Sequence, residues 1–280
     1  MKLSIGFSPC PNDTFIFDAL IHGRIDREGL DFEWVLSDVE ELNQKAFRND
    51  LDITKLSYHA LAWLRESYQL LDAGSALGRN CGPLLIAQRP IPREDISSLT
   101  IGTPGKYTTA NFLLDFAFPH VRQKREMIFS NIESAVLEGQ VDAGLIIHEN
   151  RFTYADKGLV KLIDLGTYWE ETTGNPIPLG GIAIRRSLPE PVKSKVNRLI
   201  RKSVEFAFEH PEASRPFVRE FAQEMDPAVM QQHINLYVNT YSIDLGADGR
   251  SAVRHLFRAV EKMNAIEGNE QPIFLESPSA

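Results

Sequence analysis

The chain has 280 residues, 43% hydrophobic and 24% charged, an ordinary globular composition with enough length for about two domains that each bury a core. Its 30 basic and 38 acidic side chains leave a net charge of −8, which excludes the basic stripe a nucleic-acid binder needs. No apolar run approaches the ~18 residues of a membrane span. The start is no signal peptide, because its alternating pattern is interrupted by Pro9, Pro11 and Asp13, and a cytoplasmic protein is expected.

The first element is a strand in which Leu3, Ile5 and Phe7 alternate with Lys2, Ser4 and Gly6. It runs into Ser8-Pro9-Cys10-Pro11-Asn12-Asp13-Thr14, where Asn12, Asp13 and Thr14 are all suitable helix N-caps. Phe15, Ile16, Ala19 and Leu20 then keep helical spacing until Gly23 stops the helix. A strand "LDFEWVL" follows, then a helix from Ser37 or Asp38 through Phe47 with a capping-box start at Asp38 to Glu41. Next come the short strand "LDITKLS", the helix "YHALAWL", and two strands in "YQLLDAGSAL" and "GPLLIAQ". "RPIPREDISS" reads as a linker.

A second series begins with the strand "LTIGTPG", the helix "TTANFLLDFAF" that Pro119 ends, and the strand "EMIFS". Ser130 and Glu133 form another capping box, Gly139 can terminate that helix, and "VDAGLII" is the next strand. This alternation argues for an α/β protein with parallel sheets covered on both faces. "PLGGIAIRR" leads back out of the second lobe into helices at about Pro191–Phe208, Ala213–Gln223, Ala228–Val238 and Ala247–Asn264, expected to pack on the first lobe. The domains expected are residues 1–90 with 184–280, and 95–180, joined by crossings near 88–97 and 177–183 with a ligand cleft between them. The halves also echo each other weakly. Aligning Asp52 of "AFRNDLDITKLSYH" with Asp142 of "AVLEGQVDAGLIIHE" sets Tyr58 opposite His148.

Cys10 and Cys81 lack CxxC spacing and read as reduced, inert packing groups. No HExxH, paired CxxC, P-loop or GxGxxG occurs, so neither a metal nor an organic cofactor is expected. His148, directly after "VDAGLII", reads either as a structural strand-end histidine or as a group that exchanges a proton near neutral pH. His22, His59, His120, His210, His233 and His255 fall on helices or helix ends and carry no such expectation. Lys55, Leu56 and Ser57 occupy the matching strand end of the first lobe, where Ser57 is also a plausible helix cap. Thr108, Thr109 and Ala110 start a helix after a Gly- and Pro-bearing turn. Capping accounts for one threonine, and two hydroxyls with free amides make a seat for a carboxylate.

"SPCPNDTFIFDAL", "TKLSYHA", "ALGRNCGPLL", "TTANFLL", "GLIIHENRFTY" and "PLGGIAI" together resemble the 1,4-dihydroxy-6-naphthoate synthases of the futalosine route to menaquinone. The Ser8 to Thr14 string separates that family from its sister, the chorismate dehydratases. The resemblance implies a type 2 periplasmic-binding-protein fold with two α/β lobes and a hinged cleft, used as an enzyme without metal or organic cofactor. It implies a lyase that converts cyclic de-hypoxanthine futalosine to 1,4-dihydroxy-6-naphthoate with release of dihydroxyacetone. It further implies that His148 is the proton acceptor and that Lys55, Leu56, Ser57, Thr109 and Ala110 bind a small carboxylate-bearing substrate. The opening turn would form part of the first-lobe wall. The alternatives are chorismate dehydratase, a non-catalytic small-carboxylate binding protein, and the sensing domain of a transcription regulator. The last would need a helix-turn-helix ahead of the first strand.

Overall fold

A computed structural model of the chain describes residues 1–222, 226–266 and 270–275. The opening segment forms β1 (Lys2–Phe7), α1 (Pro11–Ile21), β2 (Asp31–Leu36), α2 (Val39–Phe47), β3 (Ile53–Ser57), α3 (Tyr58–Trp63), β4 (Tyr68–Leu70) and β5 (Ala76–Gly78). The middle segment forms β6 (Leu84–Ala87), β7 (Thr100–Thr103), α4 (Thr109–Ala117), β8 (Gln123–Glu126), α5 (Ile132–Leu137), β9 (Ala143–Ile146), α6 (Asn150–Thr153), β10 (Val160–Asp164) and α7 (Leu165–Thr173). The chain returns through β11 (Ile177–Arg185) to α8 (Glu190–Glu209), α9 (Pro211–Phe221), α10 (Pro227–Tyr237), α11 (Thr240–Ile243) and α12 (Gly246–Asn264). Gln223, the expected end of the second tail helix, lies outside the described residues.

Two compact units result, Met1–Gly78 with Pro178–Ala280, and Arg79–Ile177. Residues 79–90 were expected in the first lobe. Instead β6, four consecutive buried apolar residues suited to the middle of either sheet, finds its backbone partners in β9 and β10 and so belongs to the second sheet.

The first unit holds one sheet of order β2-β1-β3-β11-β4, with β5 also on β11. The second holds a sheet of order β10-β6-β9-β7-β8. Neither is purely parallel. β1 runs parallel to β2 and β3, and β7 to β8 and β9, as βαβ crossovers require. β11 runs antiparallel to β3 and β4, and β6 to β9 and β10. β6 and β11 each follow a strand of the other sheet, β5 and β10, so no βαβ crossover within their own sheet sets their direction.

Helix α1 is buried on every side, all eleven residues, because it packs against the sheet and against α8, α9 and α10. Its N-cap is Cys10 with Pro11 at the first helical position, so Asn12, Asp13 and Thr14 lie inside the helix and cap nothing. Gly23 takes the left-handed conformation expected past the helix end (φ 66°). The apolar stripe of α8 buries Val196, Leu199, Ile200 and Val204 in one core with Leu3, Ile5, Phe17 and Leu20. Ser203 locks the two helices: its hydroxyl donates to Ile16 O (2.6 Å) and accepts from Leu20 N (3.1 Å).

Three local expectations fail for identifiable reasons. "YQLLDAGSAL" breaks into β4 and β5, since Gly74 adopts φ 88° and a Cβ there would fall 2.4 Å from Ile182 Cγ1. The strand predicted at "EMIFS" lies earlier, at Gln123–Glu126, an edge strand whose charge discourages further pairing. Ser130 and Glu133 form no capping box. The helix cap is Asn131, and buried Glu133 accepts from Lys157 Nζ (2.6 Å) and Asn150 Nδ2. Among the described residues no helix is long and apolar enough to cross a membrane.

Candidate active site

In the first unit the predicted residues sit at the carboxyl end of β3, all five of whose residues are buried. The two-residue period of a strand sends Lys55 and Ser57 to one face and Leu56 to the other. Leu56 therefore offers a ligand on the Lys55 face only its backbone. Its cross-strand partner is Gly181, and that of Ser57 is Gly180. Ser57 precedes α3 but makes no side-chain cap. Instead its N–H donates to Asn43 Oδ1 (3.0 Å), and its Oγ accepts from Asn43 Nδ2 (3.2 Å).

The turn from Ser8 to Thr14 supplies what the sequence did not disclose. Asp13, 1% exposed, accepts from Ser8 N (3.1 Å) and Ser8 Oγ (2.7 Å) at one oxygen, and from Asn12 Nδ2 and Lys55 Nζ (both 2.8 Å) at the other. Lys55 is 5% exposed and donates a second bond to Gly74 O (3.3 Å). The carboxylate is thus hydrogen-bonded fourfold and the ammonium is paired, which is what two charges need to be tolerated in a core. Asn12 Oδ1 meets Nε2 of the fully buried His233 at 2.9 Å, tying this cluster to α10. Asn12, Asp13, Asn43 and His233 were missed as a group. The polar run Asn12-Asp13-Thr14 at the start of a largely apolar helix was the one available signal.

In the second unit Thr108 caps α4. Its Oγ1 accepts from Asn111 N (3.2 Å) and donates to Gly105 O (2.8 Å). One threonine is therefore committed to the helix, as capping alone would explain. Thr109 and Ala110 occupy the first two helical positions, 3% and 5% exposed, where backbone N–H groups point out of the helix start.

His148 follows β9 by two residues and has φ 59°. Histidine is among the few residue types enriched in the left-handed region, yet holding one there costs about 1–3 kcal/mol. The cost is met locally. His148 O accepts from Arg151 N (3.3 Å), and the Arg151 guanidinium donates to Asp164 Oδ2 (2.7 Å), Asn80 O (2.9 Å) and Gly82 O. The half-buried imidazole packs edge-on against Phe129, ring centres 4.8 Å apart. Cys81 is buried, and burial first, then the Glu170 carboxylate, pushes its thiol up to about 12. Neither cysteine is in a disulfide. Cys81 is thus inert as a nucleophile.

Two curated proteins named 1,4-dihydroxy-6-naphthoate synthase are similar to this chain along nearly its whole length. The Thermus thermophilus protein is 44% identical over 98% of this chain and 99% of its own. The Streptomyces coelicolor protein is 47% identical over 91% of each. A solved Archaeoglobus fulgidus structure superposes with a TM-score of 0.90 at 36% identity, over 95% of this chain and 98% of that one. A Candida albicans protein described as having the generic periplasmic binding protein fold matches with a TM-score of 0.69 at 14% identity, over 96% and 92% of the two chains. The fold is accordingly that of periplasmic binding proteins. The family model for menaquinone biosynthesis matches residues 3–262, and the chain belongs to that family.

Proposed function

We propose that the chain is a carbon–carbon lyase, a 1,4-dihydroxy-6-naphthoate synthase that acts on cyclic de-hypoxanthine futalosine and releases dihydroxyacetone. The observation that carries this reading is the 44% and 47% identity, over at least nine-tenths of the chain, to two proteins of that name. In this reading His148 accepts the proton whose removal starts the elimination. Its Arg151-anchored backbone supports the role, because a base must be held in place to act. Thr109 and Ala110 seat the substrate carboxylate on their amides, and Lys55, Ser57 and the Leu56 backbone bind its other oxygens. An elimination that ends in an aromatic ring is driven by that ring, so positioned proton transfer is the main task left to the protein. The reaction is placed in the cytoplasm, a reducing compartment that leaves Cys10 and Cys81 as thiols.

The test is direct. The purified chain is incubated separately with cyclic de-hypoxanthine futalosine and with chorismate, and products are followed by mass spectrometry. 1,4-Dihydroxy-6-naphthoate and dihydroxyacetone are expected from the first and no change in the second. Consumption of chorismate with the first compound untouched would overturn the reading.

A further inference from the structure

The hydroxyl of Ser57 accepts one hydrogen bond and has its proton uncommitted. An N–H can only donate, so the bond from Ser57 N fixes the Asn43 amide with its oxygen toward that backbone group. The amide nitrogen then donates to Ser57 Oγ (3.2 Å) and to Glu40 Oε2 (3.1 Å). Asn43 is fully buried and Ser57 is 3% exposed, so water does not freely reorient either group. Among the described residues the Ser57 hydroxyl finds no acceptor for its own proton. Across the ladder stands Gly180, where a Cβ would lie 2.9 Å from Leu56 O and 3.3 Å from Lys55 Cε. The position facing Ser57 thus carries no side chain, and adding one would crowd the strand.

We infer that Asn43 is a positioning residue that orients the Ser57 hydroxyl as a hydrogen-bond donor to an acceptor oxygen of the substrate, and that Gly180 keeps the strand face beside it open. The inference rests on the proposal that Ser57 binds substrate. It differs from a purely structural role, in which Asn43 only fastens α2 to β3. Asn43→Asp separates the two. The Ser57 N–H keeps an acceptor, but an aspartate at that position offers only acceptors and captures the hydroxyl proton.

Turnover of cyclic de-hypoxanthine futalosine is measured for the wild type, Asn43→Asp, Ser57→Ala and the double variant, with melting temperatures alongside. Each single change is expected to raise KM about tenfold, the worth of one hydrogen bond, with kcat within a factor of two. The double variant is expected to match Ser57→Ala alone, since both changes remove the same donor. Gly180→Ala, which leaves Asn43 intact, is expected to raise KM at least tenfold, and it carries the test should Asn43→Asp not fold. Multiplicative effects in the double variant, or Gly180→Ala with wild-type KM, overturn the inference while leaving the proposed reaction standing. A wild type that does not turn the compound over overturns the proposed reaction, and the inference with it.

Discussion

The strands β2-β1-β3 of the first unit and β8-β7-β9 of the second are built to one plan. In both, the central strand runs parallel to its two neighbours. Ile5 pairs with Ile53 and Gly6 with Thr54, as Ile101 pairs with Ala143 and Gly102 with Gly144. An aspartate just before the third strand latches onto the first: Asp52 Oδ2 accepts from Ser4 N (2.9 Å), and Asp142 Oδ2 from Thr100 N (2.8 Å). A side chain on Gly6 would strike Leu51, and one on Gly102 would touch Val141, the residues preceding those aspartates. The halves part company at the carboxyl ends of these strands and just past them. Where the first has Tyr58, fully buried, bonded to Ser75 Oγ (2.7 Å) and held protonated by burial, the second has half-buried His148. Where the first has a buried Lys55–Asp13 pair, the second has Leu145 on the strand and Asn111 at the third helical position. The backbone plan is shared, and the chemistry is written in the few residues at and just past the end of each strand.

The largest expected effect comes from breaking that asymmetry at His148. Asparagine tolerates the left-handed backbone that His148 adopts and cannot accept a proton near neutral pH, so His148→Asn isolates proton transfer from conformation. Turnover is expected to fall at least ~10²-fold, with substrate affinity by calorimetry and melting temperature near wild type. A variant of near wild-type rate would return His148 to the role of a structural strand-end residue. Tyr58→Phe, at the matching place, is expected to act on stability instead, since it leaves Ser75 Oγ without its partner.

The second effect is on stability and belongs to the first unit alone. Removing one member of a buried ion pair leaves the other uncompensated, which costs about 3–5 kcal/mol. Lys55→Met is therefore expected to lower the urea midpoint strongly, because Asp13 keeps its Ser8 and Asn12 donors but loses its counter-charge. Adding Asp13→Asn to Lys55→Met is expected to recover part of that loss, since it removes the stranded charge. A double variant less stable than Lys55→Met would mean that Asp13 acts through its Ser8 bonds and not through the lysine.

These contrasts also explain what could be read in advance. Alternation of Leu3, Ile5 and Phe7, the helical spacing of α8 and the left-handed glycines at Gly23 and Gly139 are local signals, and each led to the right element. The family motifs pointed to Lys55, Ser57, Thr109 and His148 by resemblance. What could not be read rests on contacts distant in sequence. Asp13 looked like a cap because its carboxylate suits one, and only the fold brings Lys55, 42 positions away, within reach. His233 looked bland on its helix until α10 carried it to Asn12. Residues 84–87 carry the same apolar signature in either sheet, so their partner strands alone decide where they belong.

The smallest effect tests whether the shared plan is shared in energy as well as in geometry. Asp52 takes two bonds from Ser4, through N (2.9 Å) and Oγ (3.0 Å), whereas Asp142 is given one, from Thr100 N (2.8 Å). Asp142 is exposed and Asp52 only partly so, which leaves the second latch more open to competition from water. Hydrogen bonds to a charged group are worth about 1.5–3 kcal/mol when shielded, and about 0.5–1.5 kcal/mol is the ordinary net value for a bond that water can replace. Asp52→Ala is accordingly expected to fall in the higher range and Asp142→Ala in the lower. The Asp142 N–H to Thr100 O bond (2.9 Å) survives that second change, so strand pairing itself is kept. Amide hydrogen exchange at Ser4 and Thr100 reads each latch in its own unit: protection should drop at Ser4 in the first variant and, more weakly, at Thr100 in the second, with no cross-effect. Equal losses, or a larger one at Thr100, would show that the latches are graded by something other than bond count and exposure.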